Sequence, residues 1–422
     1  MLSIKIPKIF PLMALTALTL LTAFRNLSPA YYLLLGAGIA FYMIPILKNE
    51  KFFKFNKDFL PLYIFIYYTL FVAVWSFFYL MSLEPLAALP RLLLMPMIAF
   101  VFLYFLKDKK DYILMLKVIL FCFTLGSASI VFQFFFGEVS WFASSATRGS
   151  LVRYSSILGS LTVFGTIVGF QFLLIFSPSE IIKSFALRSI IFLILLLGVA
   201  LSLQKTSVFI LFISFFILMI FNLWINGPRI KLNHFLMGIT ILSLLPVLIV
   251  IDPTFQNYVS TLLTASTGLD ISSFSSSLVE VRNVSESTIS TYEIWMRLIG
   301  FASVVYEYYG NFIWFIGIGV KGGAGVMGLE GISSHNGLAD LLVMGGPIYL
   351  IIFLYIYFFI QKSLYKDLNS SLDATFFVSN LIFLIIAIPT AGAVFQPSVS
   401  ILFWLSAAYV LKKKLSYSEG KC

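Results

Sequence analysis

The residues with the clearest potential for chemistry are His335 and Asn336, which come directly before a long apolar run, and Asp340 inside that run. Histidine has an unperturbed pKa of about 6.5, so a general base at neutral pH is the role that His335 could take. Asp340 supports a functional interpretation, because an ionisable group is costly within an apolar span. A single histidine at a helix start is more often an interfacial residue than a catalyst, and both interpretations stay open.

Basic residues form a second candidate group, which would bind an anion. The group comprises Arg148, Arg153, Lys205, Arg297 and Lys321. The planar guanidinium of arginine can bind two phosphate oxygens at once, so a lipid phosphate or diphosphate would suit the group. Each member could instead be a solvated or snorkelling surface charge, and Glu293 offers Arg297 a partner four residues away.

No motif in the sequence indicates a metal or a nucleotide. H-x-x-x-H, C-x-x-C and an outer D-x-D are absent. The segment GIGVKG, residues 317–322, matches the dinucleotide fingerprint formally, but no βαβ unit surrounds it, so a glycine-rich turn is favoured. Its backbone N–H groups, with Lys321, could still bind an anionic oxygen. We therefore expect no metal and no cofactor.

The composition places these residues in a membrane protein. Hydrophobic residues make up 60% of the 422 residues and charged residues 11%, and the mean hydropathy is +1.01. A soluble globular domain does not have this composition. A helix that crosses the hydrocarbon needs about 20 mainly apolar residues, because lipid offers no partner for backbone N–H and C=O groups.

Twelve apolar runs qualify as spans, so the predicted fold class is an all-α integral membrane protein with about 12 transmembrane helices. The runs cover residues 9–24, 29–47, 59–82, 88–106, 112–135, 157–176, 189–204, 206–225, 234–251, 336–361, 374–391 and 398–411. Residues 1–251 would hold nine helices with short loops. Residues 252–335 would form a large extracytoplasmic loop between helices 9 and 10, and residues 336–422 three helices and a basic tail.

The placement of charge predicts the orientation. If the N-terminus is cytoplasmic, 19 of the 28 basic residues lie on the cytoplasmic side, as the positive-inside rule requires. Both termini are then cytoplasmic, and His335 faces the extracytoplasmic side. The net charge of +10 is thus a topology signal with some attraction to anionic lipid, and it needs no nucleic-acid partner.

The predicted outer loop, residues 252–335, is far longer than the roughly 15 residues beyond which loops are usually functional or disordered. Its first part, to residue 290, is rich in serine and threonine. Residues 291–309 have apolar side chains at helical spacing, which predicts an amphipathic helix at the outer interface. Residues 311–331 contain seven glycines and predict a flexible turn region.

Taken in order, these motifs resemble those of the bacterial O-antigen polymerase and O-antigen ligase superfamily of polytopic membrane glycosyltransferases. The similar features are Arg297 on an amphipathic helix, a G-x-G turn, His335-Asn336 at the start of a span, and Gly346 eleven residues after the histidine. A second glycine of the family pattern is replaced by Tyr349.

Two earlier segments also resemble the family. The segment TRGSLVRYSSILGS is similar to the family's outer loop, which has an arginine before a span. The segment LSLQKTSVFIL resembles its membrane-edge segment, with Lys205 where arginine is usual.

The resemblance implies a metal-independent, inverting transfer of a glycan from undecaprenyl diphosphate at the outer face of the cytoplasmic membrane. His335 would be the catalytic base, with Asn336 and Asp340 in support. The implied diphosphate ligands are Arg153, Arg297, Lys205, Arg148 and Lys321. The implied partners are the undecaprenyl-diphosphate-linked oligosaccharide, membrane lipid, a chain-length regulator and a flippase.

The acceptor distinguishes two possible activities within this family. A polymerase transfers the glycan to a lipid-linked oligosaccharide repeat unit of O-antigen, capsule or exopolysaccharide, whereas a ligase transfers it to lipid A core. From another class, a lipid-linked oligosaccharide flippase or other transporter remains an alternative. It would need cations deep within several spans, and Lys117 is the one clearly intramembrane cation in the predicted topology. A channel or scaffold would depend on no single outer residue.

Overall fold

The structure, a computed structural model, describes residues 9–28, 30–48, 59–142, 146–148, 151–177, 181–202, 204–226, 316–317, 319, 336–368, 370–388, 390 and 392–418. Almost all of them are helical. The helices are α1 Ile9–Leu20, α2 Phe24–Leu27, α3 Ala30–Leu47, α4 Leu60–Leu80, α5 Glu84–Phe105, α6 Lys109–Phe136, α7 Leu161–Ile175, α8 Phe185–Ser202, α9 Lys205–Asn226, α10 Gly337–Tyr365, α11 Ser371–Ala387 and α12 Pro397–Ser418. Two short strands, β1 Ala146–Arg148 and β2 Leu151–Arg153, form an antiparallel hairpin.

This is the fold of a multi-pass membrane protein. Seven of the described helices, α3, α4, α5, α6, α8, α9 and α10, are long and apolar enough to cross a membrane. The predicted helical class is confirmed, and eleven of the twelve predicted spans coincide with a helix. The span at 234–251 lies outside the described residues, as does the outer loop apart from residues 316, 317 and 319. The twelve-span count and the orientation stay predictions.

Helix α7 lies in the interior of the helical bundle. Its residues from Val163 to Ile175 are all buried, and it packs against α6, α8, α9, α11 and α12. A hydrogen bond of 2.6 Å from Ser127 Oγ on α6 to Gln171 Oε1 on α7 links two of these helices. Such polar contacts between helices partly replace the hydrophobic effect, which is weak between helices surrounded by lipid.

The bundle has two ends, which carry different chemistry. We call the end at which α10 begins the Asn336 end. Connecting segments are hydrogen-bonded to one another there, since the backbone N–H of Ala23 donates to the carbonyl of Ile157 at 3.1 Å. At the other end, the Lys413 end, the ammonium of Lys413 forms ion pairs with Asp367 at 2.7 Å and Asp373 at 2.9 Å. The predicted orientation puts the Asn336 end outside the cytoplasm.

Candidate functional site

The start of α10 is fixed by Asn336. Its side chain is buried, and its Oδ1 accepts hydrogen bonds from the backbone N–H groups of Leu338 and Ala339, both at 3.0 Å. An N-cap of this kind satisfies donors that the first turn of a helix leaves without partners. His335 itself lies outside the described residues. Asn336, the residue that follows His335, therefore has a structural role as the N-cap of α10. The sequence motif alone did not indicate this role.

Asp340 lies in the first turn of α10, where a carboxylate interacts favourably with the helix dipole. Its Oδ2 accepts a hydrogen bond of 2.5 Å from the backbone N–H of Gly392, in the connection between α11 and α12. Gly337 packs against the same connection, close to the carbonyl of Thr390 and to Ala393. Asp340 thus joins two segments of the Asn336 end, which explains how an ionisable group is accommodated in an apolar run.

Helix α10 is broken eight residues after Gly337. Gly345 and Gly346 have non-helical backbone angles, and Pro347 follows them. Gly346 has φ +71°, a conformation that costs other residues free energy and that glycine adopts freely. Proline cannot donate the backbone hydrogen bond that a continuous helix would need. The glycine that resembles the family pattern is therefore part of a helix break.

Backbone groups at this break have partners from other parts of the chain. The backbone N–H of Gly319 donates to the carbonyl of Met344 at 3.0 Å, and the hydroxyl of Tyr68 on α4 donates to the carbonyl of Gly345 at 2.7 Å. Beside them, the hydroxyls of Thr69 and Tyr349 are hydrogen-bonded at 2.7 Å. Tyr349, which stands where the family has a glycine, is thus part of the packing between α4 and α10.

The G-x-G turn contacts the broken helix directly. Gly317 and Gly319 have φ +80° and +87°. A side chain at Gly317 would lie 2.5 Å from the backbone of Met344, and one at Gly319 would overlap the side chain of Ser76 on α4. These two glycines therefore allow the end of the predicted outer loop to pack between α4 and α10. The rest of GIGVKG, including Lys321, lies outside the described residues.

The β-hairpin carries two of the predicted arginines. Arg153 lies opposite Ala146 in the hairpin and is half-buried, whereas Arg148 pairs with Leu151 at the other end of the strands. The side chain of Arg148 is outside the described part of the structure. The sequence predicted an outer loop here and did not indicate a hairpin.

A tight turn after β2 holds Arg153 in place. The amide of Gln133 on α6 donates to the carbonyl of Ser155 at 2.7 Å, and the backbone N–H of Ile157 donates to Ser129 Oγ at 3.1 Å. Leu158 is fully buried against Gly126 of α6. The chain that follows Arg153 is therefore fixed to α6 by both polar and apolar contacts.

Lys205 is the first residue of α9. Gln204, just before it, and Ser207, two residues after it, pack against Gly165 near the start of α7. The backbone of Lys205 therefore lies at the same end of the bundle as the hairpin. The side chain of Lys205 lies outside the described part of the structure. Arg297 lies outside the described residues, like His335 and Lys321. The structure places Arg148, Arg153, Lys205, Asn336 and Asp340 at one end of the bundle.

Two further arginines at this end were not selected from the sequence. Arg25 lies on α2 and Arg91 lies two turns into α5, and both side chains are exposed. An arginine at the outer edge of a span, against the positive-inside rule, is the signal that could have identified each of them.

Among the described residues, no group of three or more His, Cys, Asp or Glu side chains could hold a metal ion. The chain matches no protein-family model, and no curated protein matches it. The resemblance to the polymerase and ligase superfamily stays a prediction from the sequence motifs.

Proposed function

We propose that this protein is a polysaccharide polymerase of a bacterial cytoplasmic membrane. It transfers a glycan from undecaprenyl diphosphate to a lipid-linked oligosaccharide repeat unit at the extracytoplasmic face. The product is O-antigen, capsule or exopolysaccharide. The proposal joins the sequence resemblance to the arrangement of residues at the Asn336 end.

One observation carries the proposal. The hairpin with Arg148 and Arg153, the start of α9 at Lys205, and the capped start of α10 lie at the same end of the bundle. These segments are far apart in the sequence, and they carry the predicted site residues that the structure describes. A reaction between a lipid diphosphate and a sugar hydroxyl needs cations and a base at one face of the membrane. The described part of the fold supports this arrangement, because it brings Arg148, Arg153, Lys205 and the residue that follows His335 to one end.

The proposed reaction is a substitution at the anomeric carbon of the donor glycan. The acceptor hydroxyl oxygen attacks this carbon, the bond to the diphosphate oxygen breaks, and the electron pair leaves with undecaprenyl diphosphate. His335 accepts the proton of the hydroxyl and later releases it to water. Attack from the face opposite the leaving group inverts the anomeric configuration.

The cations stabilise the leaving group in this proposal. Negative charge grows on the diphosphate as the glycosidic bond breaks, so arginines that bind it more tightly in the transition state lower the barrier. Arg153 and Arg297 fill this role, with Lys205, Arg148 and Lys321 in support. Asn336 and Asp340 position the base, because they fix the first turn of α10 beside it.

The test uses a host from which the gene has been deleted. The strain is complemented with wild type, with His335→Ala, or with His234→Ala as a matched control, since these are the two histidines of the chain. The gel pattern of surface polysaccharide is then compared. General-base catalysis is typically worth about 10²- to 10⁴-fold, so His335→Ala should give single-unit bands, as the deletion does, while His234→Ala gives the full ladder.

Other outcomes point to other functions. Loss of every capped band together with accumulation of lipid-linked polymer would indicate the ligase. A normal ladder with His335→Ala, at wild-type protein levels, would contradict the catalytic assignment and favour a lipid-linked oligosaccharide flippase or another transporter.

A further inference from the structure

The connection between α11 and α12 is a part of the Asn336 end that the proposed donor site does not use. Segments that connect helices usually run over the surface, because buried backbone groups need partners. The buried residues of the described connection are Thr390, Ala393, Val394 and Phe395. The backbone N–H of Phe395 donates to the carbonyl of Gly392 at 3.0 Å. The indole N–H of Trp404 on α12 donates to the carbonyl of Val394 at 3.3 Å. The connection is therefore a packed part of the bundle.

This connection contacts the first turn of α10 at two points. The backbone N–H of Gly392 donates to Asp340 Oδ2 at 2.5 Å. Beside this hydrogen bond, a methyl group at Gly337 would lie only 2.8 Å from the carbonyl oxygen of Thr390. Glycine at position 337 thus lets the two backbones approach each other closely. Thr390 is held against the residue that directly follows the N-cap Asn336.

The side-chain hydroxyl of Thr390 is buried, and in the described part of the structure it has no hydrogen-bond partner. The neighbouring polar side chains do have partners, because Asn336 accepts two backbone N–H groups and Asp340 accepts a third. A buried hydroxyl without a partner costs free energy, and native proteins rarely keep one. Valine has a similar shape and would avoid this cost. A hydrogen bond to a bound substrate accounts for the threonine.

We propose that the hydroxyl of Thr390 binds a sugar hydroxyl of the lipid-linked glycan, beside the start of α10. The inference rests on the proposed function, in which a base at the start of α10 takes a proton from a sugar hydroxyl. A threonine hydroxyl can both donate and accept a hydrogen bond, as a sugar hydroxyl can, so the two groups match in either orientation. Thr390 then contacts the sugar, whereas the cations of the hairpin and of α9 contact the diphosphate.

This contact gives the site a means to recognise the sugar. A site that is built to bind a substrate hydroxyl rejects an analogue that lacks it, because the buried group of the protein is then left unpaired. Cations that bind the diphosphate do not discriminate in this way, since every undecaprenyl-diphosphate-linked glycan carries the same diphosphate. Thr390 is therefore a specificity-determining residue of the proposed reaction.

Thermal unfolding of the purified full-length protein in detergent tests this inference, because a ligand that binds the folded state raises the thermal midpoint. Two ligands are titrated in separate series. One is the lipid-linked repeat unit extracted from the deletion host, and the other is undecaprenyl diphosphate, which lacks the sugar. The variants are Thr390→Val, which removes the hydroxyl, and Thr390→Ser, which keeps it.

Ser214→Ala is the matched control. The hydroxyl of Ser214 is also buried and also lacks a hydrogen-bond partner in the described part of the structure. Ser214 lies on α9 and packs against Gly169 of α7, within the bundle. Its hydroxyl therefore matches that of Thr390 in burial but does not contact the start of α10.

We expect Thr390→Val to bind the repeat unit about tenfold more weakly than wild type, and to bind undecaprenyl diphosphate equally well. Its thermal midpoint without ligand should be unchanged or higher, because an unpaired buried hydroxyl has been removed. Thr390→Ser should show the reverse pattern. Its midpoint should fall because a buried methyl group is lost, while its affinity for the repeat unit stays within about threefold of wild type. Ser214→Ala should bind both ligands as wild type does.

Three results would overturn the inference. The first is wild-type affinity of Thr390→Val for the repeat unit. The second is an equal loss of affinity for both ligands, which would show that the hydroxyl does not act on the sugar. The third is a lower midpoint without ligand for Thr390→Val but not for Thr390→Ser, which would mean that a buried water or another internal group binds the hydroxyl.

Failure of this inference can be told apart from failure of the proposed function, because binding requires no turnover. If the polysaccharide ladder depends on His335 but Thr390→Val binds the repeat unit as wild type does, the sugar contact is wrong and the polymerase stands. If Thr390→Val loses affinity for the repeat unit but His335→Ala leaves the ladder normal, the sugar contact stands and the catalytic assignment is wrong.

Discussion

The hydroxyl of Tyr68 on α4 donates a hydrogen bond of 2.7 Å to the carbonyl of Gly345, at the break in α10. Within hydrocarbon, a backbone carbonyl without a donor costs several kcal/mol, so helix breaks persist only where other groups supply the missing partners. Tyr68 and the backbone N–H of Gly319 supply two of them. The break separates the half of α10 that begins at the capped Asn336 from the half that continues through the bundle.

Tyr68→Phe should destabilise the protein. The change removes the hydroxyl that pairs with Gly345, at a cost of roughly 1 kcal/mol, which is typical of one hydrogen bond between membrane helices. We expect a lower thermal midpoint in detergent and shorter polysaccharide chains. Tyr67→Phe is the matched control, because Tyr67 is the neighbouring residue and is 68% exposed. Equal effects of the two changes would contradict this role for Tyr68.

Gly319→Ala should impair the turn that contacts the break. The backbone has φ +87° at this position, and a methyl group would overlap the side chain of Ser76. Left-handed backbone costs a non-glycine residue about 1–2 kcal/mol before the overlap is counted. Thermal midpoint and chain length should both fall, and Ser76→Gly in the same protein should restore part of the loss.

The control for this experiment is Gly36→Ala. Gly36 lies within α3, and an added methyl group would meet nothing within 4 Å. Alanine is preferred to glycine inside a helix by roughly 0.5–1 kcal/mol, so this change should leave the thermal midpoint unchanged or raise it. A similar loss at both glycines would show that the turn at Gly319 has no special role.

Gln133→Leu should reduce activity by releasing the turn that holds Arg153. The buried amide of Gln133 donates to the carbonyl of buried Ser155, and loss of this hydrogen bond costs about 1–3 kcal/mol. We expect a raised KM for the lipid-linked donor, because Gln133 acts on the position of Arg153 and not on the base. The measurement is glycan transfer by purified protein with varied donor.

Gln171→Leu is the control for Gln133→Leu. Gln171 is also buried and hydrogen-bonded, but its partner is Ser127 on α6 and not the hairpin connection. Both variants should lose stability, while only Gln133→Leu raises the KM. If both variants raise the KM to the same extent, the effect comes from general destabilisation.

The helices of this protein could be predicted from the sequence because hydrocarbon permits few alternatives. A run of about 20 apolar residues has to satisfy its own backbone, and only a helix does so within one segment. The break in α10 was not predicted, although two glycines followed by Pro347 favour a break in a helix. The hydrogen bonds that stabilise the break come from Tyr68 and Gly319, and no local pattern indicated them.

The candidate site was predictable in its residue types but not in its geometry. Asn336 and Asp340 were selected for chemistry, and the structure shows how each also fixes the first turn of α10. The hairpin at Arg153 depends on Gln133, which reads as one more residue of an apolar span. Arg25 and Arg91 also lie at this end, on α2 and α5, and neither was selected from the sequence.

At the Lys413 end, the ammonium of Lys413 neutralises the charge of the buried carboxylate of Asp373. Asp373 is buried, and it accepts hydrogen bonds of 2.9 Å from Tyr409 and from Lys413, which also pairs with Asp367. Lys413 lies just beyond the predicted span at 398–411. Desolvation lowers the pKa of its ammonium, but the hydrogen bonds and charges of Asp367 and Asp373 outweigh this effect, so its pKa lies above the ordinary 10.5.

Lys413→Met should therefore destabilise the protein in a pH-dependent way. The raised pKa means that the folded state binds the proton more tightly than the unfolded state. The stabilisation is then complete below pH 10.5 and is lost as the pH rises through the pKa of the folded protein. At neutral pH we expect a loss of about 1–3 kcal/mol, because Asp373 stays buried and loses the positive charge that Lys413 supplied.

The measurement is the thermal midpoint in detergent from pH 7 to pH 11, with Lys362→Met as the control at an exposed position of the same end. The difference between wild type and Lys413→Met should be constant up to about pH 10 and should shrink above it, since only wild type has this proton to lose. Asp373→Asn, introduced together with Lys413→Met, should recover part of the stability, because it removes the buried charge that the lysine balanced. A difference that stays constant through pH 11, or no recovery in the double variant, would show that the ion pair is not what stabilises this end.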